Sequence, residues 1–496
     1  MTRSSTTLLF LALTLLVSAC TGRVSTPLAG TDTPEIRTSP SEPEISTTEV
    51  ASEATVPAPT ATQQSLSLTQ YSIKAILDYA GHHLTVDEEI NYSNNASVAL
   101  EDLLLILEPN RAPRVFSLTS LNWQQDDQPV TDYSLDGAQL RIPLREPLNP
   151  GERANLAISY ELNIPEAEDP FGYTERQTNL GDWYPYAPPY RPGEGWMVRD
   201  DAYLGEHLVY DVADFQVDIH LTDPVSPEGR SYTIAASAPA EEAGDWHHYQ
   251  MDAARTFAWS VSDQYQVLTT TVGDVTVLGY SFPYHASADE PALQATADAL
   301  NLYNDLFGPY SHKSLSVVEA DFLNGMEYEG LFFLSHAFYD YFTGTPENNL
   351  IIIAAHETAH QWFYGWVGND QAMEPWLDEA LCTFSESLFY EHEYPDRVDW
   401  WWENRVYFHK PEGWVDSTIY DTPGFYPYRD AVYLRGTLFL KDLEDLMGEA
   451  AFLGFLKDYL NQYRYKIASG DDFFALLKEH TSADISGLVA EYFSRR

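Results

Sequence analysis

Four side chains in one stretch of this chain have the types and the spacing to hold and use a divalent metal ion. His356-Glu357-Thr358-Ala359-His360 sets two imidazoles four residues apart, and on a helix positions i and i+4 project from one face. Glu357 lies beside them, placed to take a proton from a metal-bound water. Glu379 follows His360 by 19 residues and is a natural third ligand from a second helix. Two imidazoles, one carboxylate and one open position describe a catalytic zinc site rather than a closed structural one, with a single ion as the cofactor. Zinc so held lowers the pKa of water from about 16 toward about 7. Glu357 is then the general base, and later the acid that protonates the leaving amine. The oxyanion formed on the way needs a further donor, and a tyrosine hydroxyl is chemically suited to that. With 33 tyrosines in the chain, composition cannot choose which.

These residues need rigid elements around them. Leu350 to Trp366 is apolar on most sides, as a helix crossing a core should be. Pro375 stands near the start of the next helix, the one that carries Glu379. Upstream, Leu293, Ala297, Leu300 and Phe307 recur at helical spacing until Gly308-Pro309 ends the run. From Arg429 onward, helical runs alternate with turn signals at Gly448 and Ser469-Gly470. The earlier part reads differently. Leu84, Val86, Ile90 and Tyr92 alternate with polar neighbours, as do Leu156, Ile158, Tyr160, Leu162 and Ile164, and again Phe215, Val217, Ile219 and Leu221. The pattern predicts an α+β protein, with an antiparallel β-domain over 66–268 followed by a mainly helical domain over 269–496. The aromatic stretch Gly181-Asp182-Trp183-Tyr184-Pro185-Tyr186, with Tyr190 and Trp196, either lines a cleft between the domains or packs on its own sheet.

The 496 residues carry 27 Lys plus Arg against 75 Asp plus Glu, a net charge of −48. Nucleic acid and anionic lipid surfaces would be repelled by such a chain. Nothing in the sequence calls for an obligate protein partner. Two cysteines, Cys20 and Cys382, exclude a disulfide framework. Arg3 precedes an apolar run from Leu8 to Val17, too short to span a bilayer but suited to a secretory signal over 1–20. Val17-Ser18-Ala19-Cys20 resembles the lipobox of bacterial lipoproteins, in which cleavage leaves the cysteine as a lipidated N-terminus. The segment 21–65 is rich in Ser, Thr, Glu and Pro, has no aromatic residue, and reads as a disordered tether. The expected product is an exported, extracytoplasmic protein anchored to the membrane through a lipid on Cys20.

The metal motif sits in a wider pattern. His356 to Phe363, then Trp376-Leu377-Asp378-Glu379-Ala380, resembles the core of the M1 family of zinc aminopeptidases. Asn324-Gly325-Met326-Glu327-Tyr328 resembles that family's Gly-x-Met-Glu-Asn signature, and Tyr433-Leu434-Arg435-Gly436 its Tyr-x-Lys-Gly segment. The resemblance implies a saddle-shaped β-domain followed by a thermolysin-like catalytic domain, in a short two-domain form without the long helical domain of larger members. It implies His356, His360 and Glu379 as zinc ligands, Glu357 as general base and Tyr433 as the oxyanion donor. It assigns Glu327 to the substrate's free amino group, with Gly325 and Met326 along the substrate backbone. Three departures stand out: Asn324 and Tyr328 replace signature residues, and Ala380 replaces a glycine. Glu386 matches a recurrent family glutamate, and Cys382 reads as a buried small hydrophobe. The expected activity is removal of N-terminal residues from peptides. An endopeptidase with an open cleft, or an inactive peptide-binding lipoprotein, are the alternatives.

Overall fold

The computed structural model describes residues 67–496, all within the unit Ser65–Arg496. The expected signal segment, the tether and Cys20 lie outside the described residues.

The alternating segments become strands of one eight-stranded sheet. His83–Ser93 pairs antiparallel with Arg153–Asn163, placing Leu84 opposite Leu162, Val86 opposite Tyr160 and Ile90 opposite Leu156. All six side chains are buried on one face, as a two-residue period requires when one face meets a core. Glu88 takes the inward position between Val86 and Ile90, and burial pushes its carboxyl well above the usual range. The sheet is antiparallel with one exception. Thr69–Asp78 and Ala213–Leu221 run parallel, which a search for hairpins cannot anticipate, because their partners are over a hundred residues apart. Smaller two-, three- and four-stranded sheets complete this first domain.

The expected boundary after Leu268 falls inside a strand, Gln266–Val272. With Val275–Ser281 it forms a hairpin that opens a five-stranded mixed sheet, joined by Ser314–Ala320, Leu331–Ser335 and the edge strand Gly325–Tyr328. The second part of the chain therefore starts with a sheet rather than with helices. Gln266–Val272 is largely exposed and lacks apolar alternation, so its sequence gave no period to read.

Helices cover this sheet. Ala286–Phe307 and Asn349–Ala359 pack together, and the second is capped by the Asn348 side chain, which accepts from the Leu350 N–H. Leu350, Ile351 and Ile352 on it are almost fully buried, each contributing about 1.5–3 kcal/mol of transfer free energy. Trp376–Glu393 lies against it, buried along nearly its whole length. A small apolar cluster joins the domains: Ala235 and Ala258 of the first meet Tyr280, Val318 and Leu331 of the second. Arg255, from the first domain and 1% exposed, adds a polar joint. It donates to the carbonyls of Tyr210, Tyr364 and Lys466, at 2.9, 2.6 and 2.9 Å. That grip pins the backbone just beyond His360.

Candidate active site

The two central helices bring His356, His360 and Glu379 together in the core. His356 Nε2 lies 3.2 Å from His360 Nε2 and 3.2 Å from Glu379 Oε2, and His360 Nε2 lies 3.7 Å from the same oxygen. All three residues are at most 4% exposed. The outer ring nitrogens are engaged elsewhere. His356 Nδ1 faces Glu386 Oε1 at 2.8 Å, and His360 Nδ1 faces the Phe363 carbonyl at 3.1 Å. If each Nδ1 carries the proton, both Nε2 lone pairs point at one spot shared with a carboxylate. Such a donor set is repulsive by itself and is satisfied by one divalent cation, so the residues fit the metal that the motif implies. Burial pushes the Glu379 carboxyl up, but when the two histidines carry protons on Nε2 instead, their hydrogen bonds and charge outweigh it and hold it at about 2.

Glu386 does more than face one histidine. It accepts from Arg405 Nε and Nη2 at 2.8 and 2.7 Å, and from Trp401 Nε1 at 3.2 Å. A carboxylate held on both oxygens in this way fixes the orientation of the His356 ring. Cys382 is fully buried with Sγ 3.8 Å from the Phe363 carbonyl, and belongs to none of the metal-competent groups.

Glu357 projects beside the cluster, 5% exposed, with Oε2 free of any hydrogen-bond partner among the described residues. Burial raises its carboxyl to about 8. Its neighbour explains Gly325: a Cβ there would fall 1.9 Å from Glu357 Oε1. The carboxylate thus packs on bare backbone of the edge strand. Asn324 has φ of +73°, in the left-handed region that Gly and, among larger residues, Asn tolerate best. Its exchange for the signature glycine is thereby accommodated. Tyr328 turns away from the main cleft, fully buried, and donates to Asp182 Oδ2 at 2.8 Å. Gly181 leaves the room for it, since a Cβ there would meet the Tyr328 hydroxyl at 2.1 Å.

Tyr433 closes the other side. Its hydroxyl donates to Glu379 Oε1 at 2.5 Å, and its ring lies near-parallel to His356, with centroids 6.1 Å apart. It sits on a π-turn, Asp430–Leu434, inserted between the helices Phe425–Arg429 and Arg435–Met447. Such single turns cluster at functional sites. One turn on, Gly436 lets this helix approach Trp376–Glu393, where a Cβ would come 2.4 Å from that of Ala380. The helix pair therefore tolerates Ala380 because its partner is glycine.

A cleft of about 910 Å³ opens over these groups. Gly325, Glu327, His356, Glu357, His360, Glu379 and Tyr433 all line it, and Met326 does not. Met326 lines an adjoining cavity of about 390 Å³ together with Glu327, Tyr328 and Asp182. Glu327, 5% exposed, accepts from Gln371 Nε2 at 3.1 Å. Glu206 is the residue that sequence reasoning missed. It comes from the first domain, 121 positions before Glu327, yet oxygens of Glu206, Glu327 and Glu379 lie within 4.8 Å of one another. Burial, then the charges of Glu327 and Glu379, hold Glu206 well above the usual carboxylate range. No local pattern marks Glu206 in the sequence. Of the aromatic stretch, Trp183, Tyr184 and Tyr186 are buried in the first domain's core, and Asp182 lines the smaller cavity.

Comparison with known proteins agrees with this geometry. Residues 291–492 match the model of the Peptidase family M1 domain. Aminopeptidase N of Lactobacillus delbrueckii subsp. lactis is 25% identical over 292 residues, 53% of this chain and 34% of that protein. Aminopeptidase M1-D of Oryza sativa subsp. japonica is 26% identical over 220 residues, 41% of this chain and 25% of that protein. The matches thus span a quarter to a third of those relatives' lengths. An M1 zinc metallopeptidase from Deinococcus radiodurans superposes with a TM-score of 0.60 at 20% identity, covering 86% of this chain and 94% of that one. A mutant of it bound to a Tyr-Ser-Ala substrate gives 0.60 as well, over 88% and 95%. The shared two-domain fold is what this likeness establishes.

Proposed function

We propose that this chain, whose residues 291–492 match the peptidase family M1 domain, is a zinc-dependent metallopeptidase that removes residues from the N-terminus of peptides. The observation that carries the reading is the pairing of a His/His/Glu donor set with two further carboxylates, Glu206 and Glu327, at one flank of the same cleft. A half-buried carboxylate set against a buried one without a cation is costly. A substrate ammonium supplies that cation and forms charge-assisted hydrogen bonds that set the register of the first peptide bond. An internal segment of a longer chain would offer only neutral backbone there, which disfavours the endopeptidase reading.

His356, His360 and Glu379 would hold one zinc ion. When bound, it supplies Lewis-acid activation of water and of the scissile carbonyl. The rest belongs to the protein. Glu357, on the bare backbone of Gly325, takes the proton from the attacking water and returns it to the leaving amine. Tyr433 offers its hydroxyl to the oxyanion. Glu386, backed by Arg405, keeps the His356 ring in place.

The test is a mass-spectrometric time course on one peptide, free and N-acetylated, with zinc-loaded protein. Stepwise trimming of the free form alone is the expected result, and internal cleavage of both forms would replace it with an endopeptidase. Glu327→Ala should depress turnover of the free peptide by roughly tenfold or more, the scale of a lost charge-assisted hydrogen bond. Equal losses on residual cleavage of free and acetylated peptides would remove Glu327 from amine recognition.

Export and a lipid anchor on Cys20 are proposed from the sequence alone, on the apolar run and the Val17-Ser18-Ala19-Cys20 segment. Metabolic labelling with a fatty acid should mark the protein and be lost in Cys20→Ser. A mature N-terminus elsewhere, without lipid, would reject the anchor.

A further inference from the structure

The smaller cavity, of about 390 Å³, shares Glu206 and Glu327 with the main cleft as walls. A peptide whose ammonium is held by those two carboxylates has its first side chain on the neighbouring carbon, beside this cavity. The lining is of two kinds. Pro109, Pro170, Phe171, Leu208 and Met326 are apolar. Asp182, Tyr210 and Tyr328 form one polar group, in which the Tyr210 hydroxyl donates to Asp182 Oδ1 at 2.5 Å and the Tyr328 hydroxyl to Oδ2 at 2.8 Å. Tyr328, which replaces a signature residue, is thus one of two side chains that hold this carboxylate in place.

The charge balance of the cavity singles out Asp182. Glu108 stands 2.6 Å from Arg111 Nε and 3.4 Å from His207 Nε2, so the guanidinium and the imidazole that line the cavity are both committed to one carboxylate. Glu206 and Glu327 face the ammonium. Asp169 is exposed and open to water. Asp182 is half-buried, and its partners are neutral hydroxyls. Among the described residues, no Arg, Lys or His stands within ion-pair distance of it; the cations nearest in the lining are those on Glu108. Each Asp182 oxygen accepts one bond and keeps a lone pair for a further donor. Burial raises its carboxyl above the ordinary value, and the two tyrosine hydroxyls offset this only in part. A carboxylate drawn partly out of water favours a cation brought to it.

We propose that this cavity receives the side chain of the peptide's first residue, and that Asp182 selects a cationic one, lysine or arginine. The apolar walls cover the methylene stem, which such side chains bury readily, while the charged head meets the carboxylate. Peptides that begin with a basic residue are then the substrate class. The proposal rests on the aminopeptidase reading above, and its test separates the two.

Lys-Ala-Ala and norleucyl-Ala-Ala are compared as substrates of the zinc-loaded full chain, since the two first side chains share a stem and differ in the ammonium. The lysyl peptide should be favoured roughly tenfold or more in kcat/KM, the scale of a charged hydrogen bond. Glu-Ala-Ala should be the poorest of the three. Asp182→Asn should bring the lysyl and norleucyl peptides together. Asparagine suits the position because Asp182 has φ of +50°, which Asn also tolerates, and it keeps an acceptor for a tyrosine hydroxyl. Calorimetric binding of both peptides to Glu357→Gln protein should show the same ratio in Kd without turnover. Equal kcat/KM for the two peptides in the unaltered protein, or a lysine preference surviving in Asp182→Asn, would overturn selection by Asp182 while leaving N-terminal trimming intact. Failure to trim any of the peptides would overturn both readings together.

Discussion

Glu357→Gln should retain zinc and lose turnover, with kcat falling by about 10²–10⁴-fold, the usual contribution of a positioned acid–base. The substitution is close to isosteric, and Glu357 is not among His356, His360 and Glu379, whose donor atoms converge. What it removes is proton transfer. Glu357 Oε2 has no partner among the described residues and Oε1 rests against the Gly325 backbone, so the fold asks little of its charge. Metal analysis by mass spectrometry, run beside the peptide assay, distinguishes the cases. Undiminished turnover would end its role as base. Parallel loss of zinc would mean that the residue shapes the donor set instead.

Tyr433→Phe should lower kcat by about 10²–10³-fold with little change in KM, the signature of an interaction made mainly in the transition state. The ring would still lie against His356, and the fold on either side of the π-turn does not depend on the hydroxyl. That hydroxyl donates to Glu379 Oε1 at 2.5 Å, beside the spot where the donor atoms converge. A raised KM with unaltered kcat would instead make Tyr433 a binding residue. The two variants also bear on each other. Glu357 and Tyr433 act on different parts of the reacting centre, yet residues of one catalytic unit are grossly non-additive. The double variant should therefore fall well short of the product of the single losses.

Much of this site was legible in the chain, because its signals are local. Two histidines four apart share one face of a helix, and the apolar run from Leu350 marks the segment as helical. The three β segments declared themselves by a two-residue period, which burial on one face enforces along each strand. Glu386 and Tyr433 were readable only because their neighbourhoods resemble a known pattern. Gly325 was readable as part of a motif, but its reason, the Glu357 carboxylate 1.9 Å from where a Cβ would be, was not.

The rest was decided by packing between segments far apart in sequence. The parallel pairing of Thr69–Asp78 with Ala213–Leu221 leaves no mark on either strand. Tyr328 replaces a signature residue, and the fold sends its hydroxyl to Asp182, across the domain boundary into space left by Gly181. Glu206 sits in a loop of the first domain without motif or period, and becomes part of the site only when Arg255 and the small apolar cluster dock that domain against the second. The sequence by itself determined the metal donors and the helices that carry them, since spacing along one element sets which side chains share a face. Which carboxylates and cations surround those donors was set by tertiary structure alone, because contacts between distant segments follow from how faces pack and not from any period along the chain.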